Sequence, residues 1–244
     1  MSEIYIKYTP EEILQILNDF YLLQSEYIGE AKKSNKLSFE TTIKNWRTTC
    51  DLLEPYKLAK VDHEYFDLTT DIAELEDILN NENKNTLKEY CEYIAQNAKR
   101  ETITLRGSLG GKCMEAGILK KINENLKKRV AKIKELKPSD DFPLLFKKYS
   151  SEIVEVVSKL APGTIGYYKI KVNTVSKIGG YLFLLAILIL IIVLIAHKAS
   201  WFLAIPFIVS IIVISIGNKM KDTLYDIGGY KTVRDLVYGI KQRI

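Results

Sequence analysis

The chain has 244 residues, with 35 Lys and Arg, 30 Asp and Glu, and 47% hydrophobic residues. That composition excludes a disordered or collagen-like chain, and the sparse glycine and proline point to ordered helix. Cys50, Cys91 and Cys113 stand far apart with no C-x-x-C spacing. They are expected as reduced, buried thiols in a cytosolic domain, not as a disulfide framework or a metal site. The net charge of +5 is split unevenly: residues 1–97 carry 10 basic and 19 acidic residues, and residues 98–244 carry 25 and 11.

The opening MSEIYIKY has no basic segment followed by an apolar one, so no cleavable signal peptide is expected. Its alternation fits a short strand or an extended arm. Thr9, Pro10 and Glu12 make a strong helix start, with a capping box and proline at the first helical position. Ile13, Ile16, Leu17, Phe20, Leu23 and Tyr27 follow at helical spacing, and the first helix is expected to run to about Lys33. Ser38 is the expected cap of a second helix carrying Phe39, Ile43, Trp46, Cys50 and Leu53, stopped by Pro55. A third helix is placed between Tyr56 and Leu79, and residues 80–85 read as a solvated loop. The fourth begins near Thr86 and ends at Gly107. A fifth carries Leu119, Ile122, Leu126, Val130, Ile133 and Leu136, close to a heptad pattern, and is expected to form a coiled-coil seam. Pro138 ends it. A sixth, capped at 139–141, carries Phe142, Phe146, Ile153, Val156, Val157 and Leu160.

Two apolar runs follow, residues 178–196 and 199–218, neither containing an Asp, Glu, Lys or Arg. Each is about the roughly 20 residues a spanning helix needs, so a two-span transmembrane hairpin is expected. Lys169, Lys171 and Lys177 precede it and Lys219 and Lys221 follow it, while the connecting turn carries Lys198 alone. The excess of lysine on the outer flanks predicts both termini in the cytoplasm, with Tyr181 and Trp201 at the membrane interface. The absence of ionisable residues inside the runs argues against a transporter. Pro206 is expected to kink the second run. The basic amphipathic tail, residues 219–244, reads equally as an interfacial helix or as one that docks onto the soluble bundle, split at Gly228 and Gly229. YYKIKV, in the connector ahead of the hairpin, reads as a strand paired with EIYIKY or as the start of the first span.

No catalytic constellation is visible. GSLGGKC, residues 107–113, fails the phosphate-loop pattern, because Arg106 stands where a glycine is required and Cys113 where a hydroxyl is required. Arg106 and Lys112 remain as an anion-binding candidate at a helix start. His63 and Glu64 resemble half of a zincin motif, but the second histidine is missing and His63 is read as a structural or surface histidine. Residues 112–137 hold nine basic and three acidic residues. A basic helix face near an anionic surface, or a dock for the acidic half, is favoured over nucleic-acid binding.

The expected class is all-α: a helical domain over residues 1–163, a connector over 164–177, the hairpin over 178–218 and the amphipathic tail. That layout resembles two-span membrane effectors of bacterial defence systems and hairpin proteins that shape membranes. The expected function is a non-enzymatic, self-associating membrane effector or scaffold. It would assemble through the hairpin and the fifth helix, with a partner or signal received by the helical domain. The alternatives are a membrane-shaping or lipid-binding hairpin and a membrane-tethered enzyme. No cofactor or metal is expected. The expected partners are anionic lipid headgroups, further copies of the chain and a protein partner of the cytoplasmic domain.

Overall fold

The computed structural model describes residues 7–28, 36–100, 106–108, 111–171, 174–195, 204–219 and 224–244. It is mostly helical, as an all-α reading requires, with two short two-stranded sheets. Thr9 Oγ1 accepts from the Glu12 amide at 3.2 Å and Glu12 Oε2 accepts from the Thr9 amide at 3.0 Å, the predicted capping box. Helix α1 (Pro10–Leu22) follows and continues into a π-helical turn, Leu23–Ile28. Helix α2 (Ile43–Cys50) starts later than expected, because the Thr42 side chain, not Ser38, satisfies the free amide of Asn45. Pro55 opens a helix where the sequence suggested a stop: it sits in the first turn of α3 (Pro55–Phe66), where its missing N–H costs nothing. The third predicted helix is in fact two. Asp67, at φ +53°, ends α3, and Asp71 caps α4 (Ile72–Asn80). Helix α5 (Leu87–Asn97) begins at a second capping box, Thr86 with Glu89, and ends ten residues before Gly107.

These helices converge on one core. Ile13, Ile16, Ile43, Phe66, Leu75, Leu79, Leu87, Tyr90 and Ile94 are almost wholly excluded from solvent. Each such side chain stabilises the fold by roughly 1.5–3 kcal/mol relative to exposure. Tyr21, which the helical spacing did not mark, is buried as well, while Phe20 packs at the edge.

The segment read as a phosphate-like loop is a β-ribbon. Strands β1 (Arg106–Ser108) and β2 (Gly111–Cys113) pair antiparallel and lead into α6 (Met114–Arg129). The fifth helix therefore stops at Arg129, and Ile133 and Leu136 are buried from irregular chain beyond it. Asn123 holds that segment, donating to the Leu136 carbonyl at 3.1 Å and accepting from its amide at 2.7 Å. Ile118, Ile122 and Leu126 are spent on the chain's own core, so the coiled-coil seam expected here is corrected: a continuous heptad face does not exist. Helix α7 (Phe142–Leu160), capped by Asp141 as predicted, packs against α1 and α6 and bends at Tyr149.

The chain divides into two compact units, Met1–Tyr168 with Ile227–Ile244, and Lys169–Asp226. The tail thus returns to the first unit. Its helix α10 (Val233–Lys241) buries Val233, Leu236, Val237 and Ile240 and contacts α6 and α7. Docking, rather than an interfacial position, is what the structure shows for it. Three backbone bonds fasten its start: Phe142 N to Lys231 O at 3.1 Å, Val233 N to Asp140 O at 3.0 Å and Arg234 N to Pro138 O at 3.0 Å.

The second unit is a hairpin of α8 (Thr174–Ile195) and α9 (Ala204–Lys219). Strands β3 (Tyr168–Lys171) and β4 (Leu224–Ile227) pair with each other. The strand read in YYKIKV is therefore real, but its partner is β4; the proposed partner EIYIKY lies outside the described residues apart from its last two residues, Lys7 and Tyr8. Among the described residues no helix is long and apolar enough to cross a membrane. This overturns the integral-membrane, two-span localisation with cytoplasmic termini, and the transmembrane helices with it. A two-span hairpin needs both legs, and the described residues of α9 number 16, about 24 Å at 1.5 Å per residue, against a hydrocarbon core of about 30 Å. Pro206 is the third described residue of α9.

Candidate functional site

Two features of the described residues stand out, one in each unit. The first is a cleft of about 760 Å³ lined by residues of α1 and the π-helical turn after it, of α2, α3, α6 and α7, and of the 51–53 turn. Its walls are apolar and aromatic, with Leu17, Phe20, Trp46, Leu58 and Tyr65 among them, and it carries the carboxylates Asp51, Asp62, Glu64 and Glu155. Arg129 is the single cation among the lining residues and is paired with Glu155. Asp62 lies four residues after Leu58 and three before Tyr65, so α3 carries it on the helix face that packs inward. Asp62 Oδ2 accepts a 2.7 Å bond from the Tyr90 hydroxyl, and Oδ1 receives no bond from any described residue. Asp62 is half-buried, with its carboxyl at the cleft wall beside Leu58, Tyr65 and Leu17 of the lining. Desolvation pushes its pKa up to about 7 against the Tyr90 bond, which acts to lower it. Cys50, at the same cleft, is pushed up to about 11 by burial, so it is a thiol and not a nucleophile at neutral pH.

The second feature is the surface of the α8–α9 hairpin. The two helices meet through small residues: Ala186 and Ser210 are buried, and a Cβ on Gly179 would stand 2.6 Å from Ile214 Cγ1 and 2.9 Å from its backbone nitrogen. Phe183 and Phe207 close the contact edge to face at 5.6 Å. Many of the larger side chains described face away from that contact. Tyr181, Leu184, Leu185 and Leu188 on α8, and Ile205, Ile208, Val209, Ile212 and Ile216 on α9, are 45–71% exposed. Each set follows a three–four spacing and forms an unbroken apolar stripe.

The residues singled out from sequence are scattered. Lys169 and Lys171 belong to β3, and Lys177 and Lys219 lie in the first turn of α8 and at the end of α9. Tyr181 opens the exposed α8 stripe, and Trp201 and Lys221 lie outside the described residues. Arg106 pairs across the ribbon with Cys113, and Lys112 with Gly107, so the two candidates for anion binding are not cross-strand partners. Cys113, the N-cap of α6, makes no side-chain cap. His63 Nε2 lies 2.7 Å from the Thr70 carbonyl oxygen, within hydrogen-bond distance, consistent with a structural histidine. Among the described residues no group of His, Cys, Asp and Glu could hold a metal ion. Sequence reading passed over Asp62, although a signal was present: an acid at an apolar position of the α3 stripe. No family model, curated protein or solved structure matches the chain.

Proposed function

We propose that the protein is a non-catalytic, self-associating scaffold or effector, assembled through the α8–α9 hairpin, with the helical first unit receiving a partner or signal. The observation that carries this reading is the pair of exposed apolar stripes on α8 and α9. A monomer rarely leaves more than a few hundred Å² of contiguous apolar surface in water. A second copy is the occupant that fits, because a three–four stripe is the pattern that packs helix against helix at a shallow crossing angle. Two identical hairpins bring two such stripes each, enough to close a four-helix core about a two-fold axis. Helix α6 takes no part, since its apolar face is used within the first unit.

The test is the oligomeric state of the full chain in mild detergent, read by light scattering and by chemical crosslinking. The native chain is expected as a dimer or higher oligomer. Replacing Leu184, Leu188 and Ile208 together by Glu is expected to give a monomer whose helical circular dichroism and melting of the first unit are unchanged. A native chain that stays monomeric at micromolar concentration overturns the reading.

A further inference from the structure

The cleft in the first unit has a chemistry that assembly does not use. Its volume falls in the range of small-molecule sites, and its lining is the usual mixture of apolar walls with a few polar groups that fix orientation. Four of its five charged groups are carboxylates. Arg129 is already satisfied by Glu155, which leaves Asp51, Glu64 and the ionised form of Asp62 without a matching cation in the lining. An anionic ligand is therefore disfavoured and a cationic one attracted. Asp62 is the one of the three on the inward face of α3, bonded by the buried Tyr90, and its Oδ1 takes no bond from any described residue. A carboxylate offers about four acceptor positions and this one has a single donor. A strong donor carried on an apolar body supplies what both the carboxylate and the walls lack.

We propose that the cleft binds a small organic amine, with its ammonium on the Asp62 carboxylate and its apolar body against Leu17, Phe20, Trp46 and Leu58. The ammonium forms a charge-assisted bond to Asp62, and the aromatic walls add attraction for the cation at the rim. The site is saturable by any primary amine whose body fills the apolar volume, and it discriminates by charge among ligands of equal shape.

The experiment titrates the full chain with 4-phenylbutylamine, 4-phenylbutanol and 4-phenylbutanoate by isothermal calorimetry at neutral pH. The amine is expected to bind at one site, at least tenfold more tightly than the alcohol, with the carboxylate weakest. Asp62→Asn is expected to remove that preference, so that amine and alcohol bind alike. Val61→Trp, at an exposed rim position of the cleft, is expected to abolish binding of both by filling it. Its circular dichroism checks folding, and it keeps the test decisive should Asp62→Asn fail to fold. Equal affinity for amine and carboxylate, undiminished amine binding in Val61→Trp, or no amine binding at millimolar concentration each overturns the proposal.

Discussion

Two buried carboxylates give the first unit a pH dependence opposite to that of ordinary surface acids. Asp19 is almost fully enclosed, and burial pushes its pKa up to about 6 against the lowering effect of its bonds from Ser158 Oγ at 2.6 Å and the Gly163 amide at 2.8 Å. Asp62 is pushed to about 7. Both exceed the unfolded value, so the native state holds protons that the unfolded chain releases. The stabilisation is complete below about pH 4 and is lost as pH rises through the folded values. The melting temperature is therefore expected to fall between about pH 4 and pH 7, and Asp62→Asn to flatten the upper part of that decline. Thermal melts of both proteins across this range check it; an unchanged slope in the variant would assign the decline elsewhere. At this scale the sequence was partly legible. Asp19 and Asp62 both interrupt helical apolar stripes, but only the partner residues Ser158, Gly163 and Tyr90, distant in the chain, make their burial tolerable.

Among the elements, the ends were more legible in sequence where a side chain caps locally than where tertiary contact decides. Thr9, Thr86 and Asp141 cap α1, α5 and α7 as the residue types predict, because an N-cap bond reaches only two or three residues along the chain. The end of α6 at Arg129 was not legible, since the apolar spacing continues through Ile133 and Leu136. What stops the helix is the bidentate hold of Asn123 on Leu136, a contact that folds the segment back. Asn123→Ala is expected to cost about 1–3 kcal/mol, because it leaves a buried amide and carbonyl unsatisfied. Chemical denaturation is the measurement, and a loss below about 0.5 kcal/mol would show the turn to be held otherwise. In the hairpin, Gly179 is required by proximity rather than by backbone conformation. Gly179→Ala is expected to push α8 from α9 at Ile214 and to lower the melting temperature of the second unit.

Across the whole chain, the tail is a structural part of the first unit although the hairpin separates the two in sequence. Gly228 and Gly229, at φ +60° and +80°, turn the chain after β4 so that α10 can lie on α6 and α7. Ile240 is fully excluded from solvent there, and Ile240→Ala is expected to destabilise the first unit by about 2–5 kcal/mol, measured by denaturant melts. The amino-acid sequence by itself determined the helical class, the capped starts of α1, α5 and α7, the apolar hairpin and the amphipathic character of the tail. These are properties of spacing and of neighbours a few residues apart. Only the tertiary structure decided that the tail docks, that the heptad-like helix is consumed by its own core, that YYKIKV pairs with β4, and that Asp62 faces an apolar cleft. Each of these rests on contacts between residues far apart in the chain, whose register no local pattern encodes. The legs of the hairpin belong to the same class of fact. An apolar run reads as a span from its length in sequence, but among the described residues no helix is long and apolar enough to cross a membrane.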